Sequence, residues 1–181
     1  MKSQVHSRLR QLTYSALFAA LCCVVTYMIV IPLPYGYVNA GDIFVLLAGF
    51  CLGPLYGGAA AALGCALADL LCGYAIYAPA TAVIKFAVAA LSVLLCSTLL
   101  RHASLRRVSV LVYSLAALVG ECIMLLGYFL YECCLYGAAG ALLSLPGNAL
   151  QGAACAIGAV ILATALRAVP HVRALFPYLD R

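Results

Sequence analysis

The chain has 181 residues, of which 67% are hydrophobic and only 8% are charged. A water-soluble domain of this size needs far more polar surface, so the composition excludes one and indicates that most of the chain lies in lipid. The ten cysteines are scattered singly or as neighbours through apolar runs, without CxxC or Cys/His spacing. They are interpreted as small packing residues, and neither a metal site nor a cofactor is predicted.

The apolar runs predict one domain over 1–181, an all-α integral membrane protein with six transmembrane helices. The first run follows a basic start and lacks a small-residue cleavage site, so it is expected to stay in the membrane. Pro32 and Pro34 end it and predict a structured loop. Gly53 and Pro54 predict a tight turn after a short second helix. The expected helices cover residues 12–31, 41–52, 55–71, 79–100, 108–131 and 146–166.

The third helix carries small residues on one face, which allows its backbone to approach a neighbouring helix closely. These residues are Gly57, Ala60, Gly64 and Ala68. The fourth helix is expected to begin at Pro79, because a proline in the first turn loses no helical hydrogen bond.

Basic residues predict the orientation in the membrane. Nine of the ten lie in three groups: Lys2, Arg8 and Arg10; Arg101, Arg106 and Arg107; and Arg167, Arg173 and Arg181. Six helices place all three groups on one side, and Lys and Arg are retained in the cytoplasm during insertion. Both termini are therefore predicted to be cytoplasmic. The net charge of +5 is explained by this topology and the lipid surface, so no nucleic-acid partner is expected.

Five other charged residues lie in or beside apolar segments, where a charge costs at least about 2 to 3 kcal/mol unless it is paired or hydrated. They are Asp42, Asp69, Lys85, Glu121 and Glu132. All five fall in the outer half of the predicted bundle, together with uncharged polar residues. This one-sided distribution predicts a pocket that opens to the outside.

Helical spacing groups these polar residues into stripes. Residues three or four positions apart share a helix face, which unites Thr81 with Lys85 and Asn148 with Gln151. The fifth helix carries a longer stripe with the members Glu121, Met124, Leu125, Tyr128 and Glu132. The three stripes can converge on one pocket.

Structural roles are alternatives for several of these residues. Asp42 and Asn148 can cap helices. Asp69 can neutralise Lys85 as a buried ion pair instead of contacting a solute. Tyr74, Tyr77 and Glu132 can be interfacial groups outside the pocket.

Short motifs occur from the first helix to the last: Asn39-Ala-Gly-Asp42, Leu52-Gly-Pro-Leu-Tyr-Gly57, Ala68-Asp-Leu-Leu71, Tyr77-Ala-Pro-Ala-Thr-Ala-Val-Ile-Lys85, Gly120-Glu121, Gly127-Tyr-Phe129 and Pro146-Gly-Asn-Ala-Leu-Gln151. Together they resemble an S component of an energy-coupling factor (ECF) vitamin transporter, most closely the riboflavin-type branch. The resemblance implies a six-helix subunit of a bacterial cell membrane that captures a vitamin from outside. Its implied partners are a membrane scaffold (T) subunit and two cytoplasmic ATPase subunits.

A vitamin that leaves water needs aromatic cover for its rings and replacement hydrogen bonds. The expected substrate-binding residues are Tyr37, Asn39, Asp69, Tyr77, Thr81, Lys85, Glu121, Tyr128, Asn148 and Gln151, and the tyrosines Tyr35 and Tyr74 are suited to the same rings. The Pro-rich first loop is expected to act as a lid.

Partner docking is implied for an Ala-x-x-x-Ala motif on the first helix. Ala16 and Ala20 match this motif, and small residues at this spacing make a flat face for a partner helix. Packing within the bundle is the alternative. The sequence lacks the Gly-rich loop of a nucleotide-binding site, so transport energy is expected from the ATPase partners, and no catalytic residue is predicted.

Two other functions are alternatives to vitamin capture. An intramembrane aspartyl protease would use Asp42 and Asp69, but Lys85 would hold a neighbouring carboxyl ionised, whereas that dyad shares a proton. A self-sufficient small carrier or channel would need a polar path through the inner half, which the sequence lacks. Riboflavin is the first choice of ligand, and hydroxymethylpyrimidine, pantothenate and thiamine remain open.

Overall fold

The computed structural model describes residues 2–33, 36–100 and 106–180, and these residues are almost entirely helical. The described residues form five α-helices: α1 (Lys2–Met28), α2 (Asp42–Leu71), α3 (Ala78–Leu100), α4 (Arg106–Ala168) and α5 (Pro170–Leu175). A short 3-10 helix, Pro177–Asp180, follows α5. Two strands, β1 (Val30–Pro32) and β2 (Tyr37–Asn39), form an antiparallel hairpin between α1 and α2.

Four of the helices contain stretches long and apolar enough to cross a membrane. These are Arg8–Met28, Asp42–Leu71, Ala78–Leu100 and Ser109–Ala168. The predicted class, an all-α membrane protein, is therefore confirmed.

Gly53 interrupts α2. Its φ of +85° is a conformation that residues with a Cβ rarely adopt, and an added Cβ would lie 2.5 Å from the ring of Tyr178. The chain folds back there, since Gly57 packs closely against the carbonyl of Ala48. Thus α2 consists of two segments, 42–52 and 54–71, as the predicted turn at Gly53 and Pro54 requires.

Gly137 interrupts α4 in the same way, with a φ of +76°. The segments 106–136 and 138–168 also fold back on each other, because a Cβ added at Gly152 would lie 3.1 Å from the Cβ of Glu121. The predicted helix boundaries at 131 and 146 are wrong here. The residues between them include many Ala and Leu, which favour helix, so only Gly137 breaks the helical backbone.

The first helix also differs from its predicted limits. It begins at Lys2 and ends at Met28, and the following residues form the hairpin, in which Ile31 pairs with Val38. Ile31 precedes Pro32, and a residue before proline disfavours the helical conformation. The predicted loop is therefore structured, and its structure is a β-hairpin.

Glycines and alanines bring the central helices close together. Gly64 packs against the carbonyl of Ala19 in α1, and Gly49 against the carbonyl of Ala89 in α3. The predicted small-residue face is confirmed, since Gly57, Ala60, Gly64 and Ala68 are all buried.

The C-terminal residues pack at one end of the bundle. Tyr178 lies against Gly53, and the hydroxyl of Tyr113 donates a hydrogen bond of 2.7 Å to the carbonyl of Leu179. Tyr113 precedes Tyr128 by 15 residues, about 22 Å along the helix. The C-terminal end of the bundle is therefore far from the end that carries Tyr128 and the hairpin.

Some predicted features fall outside the described residues. These are Pro34 and Tyr35 of the predicted loop and the basic residues Arg101 and Arg181. The predicted orientation in the membrane stays a prediction.

Candidate ligand-binding site

A narrow cavity lies at the hairpin end of the bundle, and about 30 Å³ of it is open to the centre of a water molecule. A ligand of vitamin size would therefore require the cavity walls to move apart. The cavity wall is formed by Thr26, Gly36, Tyr37, Asn39, Cys65, Asp69, Tyr77, Thr81, Lys85, Tyr128, Glu132, Asn148 and Gln151. Eleven of these thirteen residues have polar side chains, so the cavity is suited to a polar ligand.

A buried ion pair forms the base of the polar network. The ammonium nitrogen of Lys85 lies 2.6 Å from Oδ1 of Asp42, and both side chains are almost completely buried. Nε2 of Gln151 donates to Oδ2 of Asp42 at 2.6 Å, and Oε1 of Gln151 accepts from the backbone N–H of Asn39 at 2.6 Å. These bonds connect the hairpin with α2, α3 and α4.

Asp42, and not Asp69, is therefore the partner of Lys85. The helix-cap interpretation of Asp42 is also wrong, because Gly41 is the N-cap and no side chain caps α2. Segment 42–52 is short: Asp42 lies about 16 Å from Gly53, whereas Asp69 lies about 24 Å from it. Asp42 thus reaches only the depth of Lys85, and Asp69 lies nearer the mouth. The two aspartates have different partners, which disfavours a protease dyad.

Asp69 and Glu132 each accept a hydrogen bond from a tyrosine. The hydroxyl of Tyr37 lies 2.5 Å from Oδ1 of Asp69, and that of Tyr77 lies 3.3 Å from Oε1 of Glu132. Burial and the adjacent Asp69 carboxylate raise the pKa of Tyr37, which keeps its hydroxyl protonated as a donor. The second oxygens, Oδ2 of Asp69 and Oε2 of Glu132, are buried and have no hydrogen bond of good geometry among the described residues.

Tyrosine rings surround the cavity in a continuous series. The ring of Tyr74 lies 4.8 Å from that of Tyr37 and 6.3 Å from that of Tyr77, and Tyr77 lies 6.5 Å from Tyr128. The Lys85 nitrogen lies 5.1 Å from the centroid of the Tyr128 ring, within the range of a cation–π contact. These rings can pack against a planar ligand.

The hairpin is fixed to the helices beside the cavity. Leu33 packs against Gly147, where an added Cβ would lie 2.8 Å from the Leu33 side chain. Gly36 faces the ring of Tyr77, since an added Cβ would lie 3.5 Å from that ring. The segment that contains Tyr37 and Asn39 is thereby held as part of the cavity wall.

Glu121 does not belong to this wall. Both of its carboxyl oxygens are buried without a hydrogen-bond partner in the described part of the chain, and Oε2 lies close to Gly152. It precedes Tyr128 by seven residues, about 10 Å along the helix, which places it deeper than the cavity.

The other nine expected substrate-binding residues line the cavity, and their role in binding stays a prediction. Sequence reasoning omitted Thr26, Gly36 and Cys65, which carry no distinguishing sequence signal. It also left Glu132 out of the expected binding residues, with an interfacial role as the alternative, although Glu132 follows Tyr128 by four residues on the same helix face. Asn148 lies within α4 and not at its start, so the capping interpretation is wrong.

Ala16 and Ala20 are exposed on the surface of α1. Only 17% of the most apolar window of this helix is buried, compared with 67% for α2. Packing within the bundle therefore does not account for these two alanines.

Fold and cavity together define a multi-pass α-helical membrane protein with a polar and aromatic cavity at one end. A sequence model of the family "ECF-type riboflavin transporter, S component" matches residues 6–168. The chain therefore belongs to this family, as its motifs indicated. This is a transporter family and not an enzyme family.

A protein of Pyrococcus woesei, described as "Uncharacterized protein in gap 3'region", is 47% identical to the chain over 64 residues. The match covers 34% of this chain and 43% of that protein, so the similarity spans less than half of either.

Proposed function

We propose that this chain is the substrate-capture subunit of an ECF-type ABC importer and that it binds riboflavin from the outside. The observation that carries this proposal is the cavity itself, which combines a tyrosine series with buried polar groups in a chain of this family. A flavin ring would pack against the tyrosines, and its polar edge and hydroxylated chain would bond to the polar wall.

In the proposed topology, six helical segments lie in the membrane with both termini in the cytoplasm. They are α1, 42–52, 54–71, α3, 106–136 and 138–168. Segment 42–52 is about 16 Å long, so it reaches only about half of the hydrocarbon thickness. The position of the C-terminal residues at the end opposite the cavity supports this orientation, because it leaves the cavity and the hairpin facing outside.

Docking is proposed to occur through α1. The exposed pair Ala16 and Ala20 provides a flat surface against which a helix of the scaffold (T) subunit packs. Two cytoplasmic ATPase subunits then supply the energy. In this mechanism the hairpin covers the loaded cavity and must move before the vitamin can leave.

Uptake in a bacterium that neither makes nor imports riboflavin tests this proposal. The strain should grow on low riboflavin only when the chain and the ECF module subunits are produced together. Uptake by the chain alone would indicate a self-sufficient carrier and contradict the proposal. If the complete set of subunits does not import riboflavin but imports thiamine, hydroxymethylpyrimidine or pantothenate, riboflavin would be the wrong substrate. The proposed class of function would then still hold.

A further inference from the structure

The charges in the cavity wall are not balanced. Lys85 is the basic residue among those that form the wall, and Asp69 and Glu132 are the acidic ones. Lys85 is already paired with Asp42 at 2.6 Å, so its charge is neutralised within the protein. No basic side chain among the wall residues is left to pair with Asp69 or Glu132.

Each acid accepts a hydrogen bond from a tyrosine hydroxyl, Tyr37 or Tyr77, and has a second hydroxyl beside it, that of Thr81 or Ser144. Its other oxygen is buried and has no hydrogen bond of good geometry in the part of the chain that the structure describes. The residues are 4% and 2% exposed, so bulk water does not solvate these oxygens freely. A ligand that donates a hydrogen bond to each oxygen would remove the penalty of leaving it unpaired.

Asp69 accepts a short hydrogen bond. The distance from the Tyr37 hydroxyl to Oδ1 is 2.5 Å. Hydroxyl donors approach ionised carboxylates to about 2.5 to 2.7 Å, closer than they approach neutral acceptors. An ionised Asp69 would repel an anion placed beside it, because the wall cation Lys85 is already paired with Asp42.

We infer that Asp69 and Glu132 select the charge class of the ligand. The cavity takes an uncharged or cationic aromatic heterocycle with hydroxyl or amino donors, and it rejects the same ring when that ring carries a phosphate or carboxylate. This inference rests on the proposed function, because it concerns the same cavity. It assigns Glu132 a role in ligand selection that the sequence did not indicate.

Riboflavin and its 5′-phosphate provide the test, since they share the ring and the hydroxylated chain and differ only in the anionic group. Each is titrated into purified protein in detergent, and quenching of flavin fluorescence reports binding. The wild type should bind the phosphate more than about 100-fold more weakly than riboflavin. Similar affinities for the two flavins would overturn the inference and leave the proposed function standing.

Variants of similar shape localise the effect. Asp69→Asn and Glu132→Gln each retain an oxygen for the tyrosine and remove the charge. Each should reduce the preference for riboflavin over its phosphate at least about fivefold, and the double variant should reduce it further. Tyr14→Phe is the control, because Tyr14 contacts Phe176 at the opposite end of the bundle and should leave the preference unchanged. An unchanged preference in a double variant that melts like the wild type would overturn the inference.

Titration with other vitamins shows whether a negative result contradicts this inference, the proposed function or both. If the wild type binds no flavin, it is titrated with thiamine and hydroxymethylpyrimidine, which are cationic or uncharged, and with pantothenate, which is an anion. Binding of either of the first two would overturn riboflavin as the substrate and support the charge rule. Binding of pantothenate, or of none of them, would overturn both. The wild-type comparison decides the question even if a variant does not fold.

Discussion

Removal of the Lys85 ammonium should destabilise the protein strongly, because Asp42 would remain buried without its counter-ion. In Lys85→Met the side chain keeps a similar length and loses its charge, while Gln151 still donates to one oxygen of Asp42. Breaking one side of a buried ion pair typically costs about 3 to 5 kcal/mol of unfolding free energy. Unfolding by SDS in mixed micelles, followed by circular dichroism, measures the change.

A second substitution identifies the partner. Asp42→Asn removes the unpaired charge and retains an oxygen for Gln151, so the double variant Lys85→Met/Asp42→Asn should recover most of the loss. The coupling energy between the two positions should reach about 2 to 3 kcal/mol, because the residues are in direct contact.

The matched control is Lys85→Met/Asp69→Asn. Asp69 bonds to Tyr37 in the structure, so its replacement should not restore the stability that Lys85→Met removes. If Asp69→Asn restores the unfolding free energy lost in Lys85→Met and Asp42→Asn does not, the pairing of Lys85 with Asp42 would be refuted.

Three further predictions concern a buried acid, the docking face and the topology. Glu121→Met should raise the melting temperature, because it removes two buried oxygens without hydrogen-bond partners among the described residues; a lower melting temperature would refute this. Ala16→Leu/Ala20→Leu should abolish uptake with the ECF module and preserve vitamin affinity, whereas loss of affinity would assign the alanines to packing. In a functional cysteine-free background, an impermeant thiol reagent added outside should label Ala139→Cys and not Ala174→Cys; the reverse pattern would invert the proposed orientation.

The sequence predicted the fold class and most of the cavity wall because both depend on local patterns. Apolar runs indicated the membrane helices, and Gly53 followed by Pro54 located one reversal to the residue. Polar residues in apolar segments indicated a cavity, since lipid tolerates them only when they are paired or hydrated.

The sequence did not predict the features that depend on distances between helices. Spacing along one helix does not reveal that the short segment 42–52 brings Asp42 to the depth of Lys85, so Asp69 and not Asp42 was considered as the partner of Lys85. Gly137 did not stand out among the glycines around it, and the break it makes was therefore predicted as a long loop. Glu121 shares a helix face with Tyr128, but it lies too deep to reach the cavity wall.

Direct titration of riboflavin into the purified chain tests the central claim most directly. The protein is purified in detergent from cells that contain riboflavin, inspected for bound yellow chromophore, stripped of it, and titrated by fluorescence quenching. A Tyr77→Phe variant, which leaves Glu132 without its tyrosine donor, serves as the comparison and should bind about five- to a hundredfold more weakly. Saturable binding of one riboflavin per chain is the predicted result, and absence of bound chromophore together with no saturable binding would contradict it.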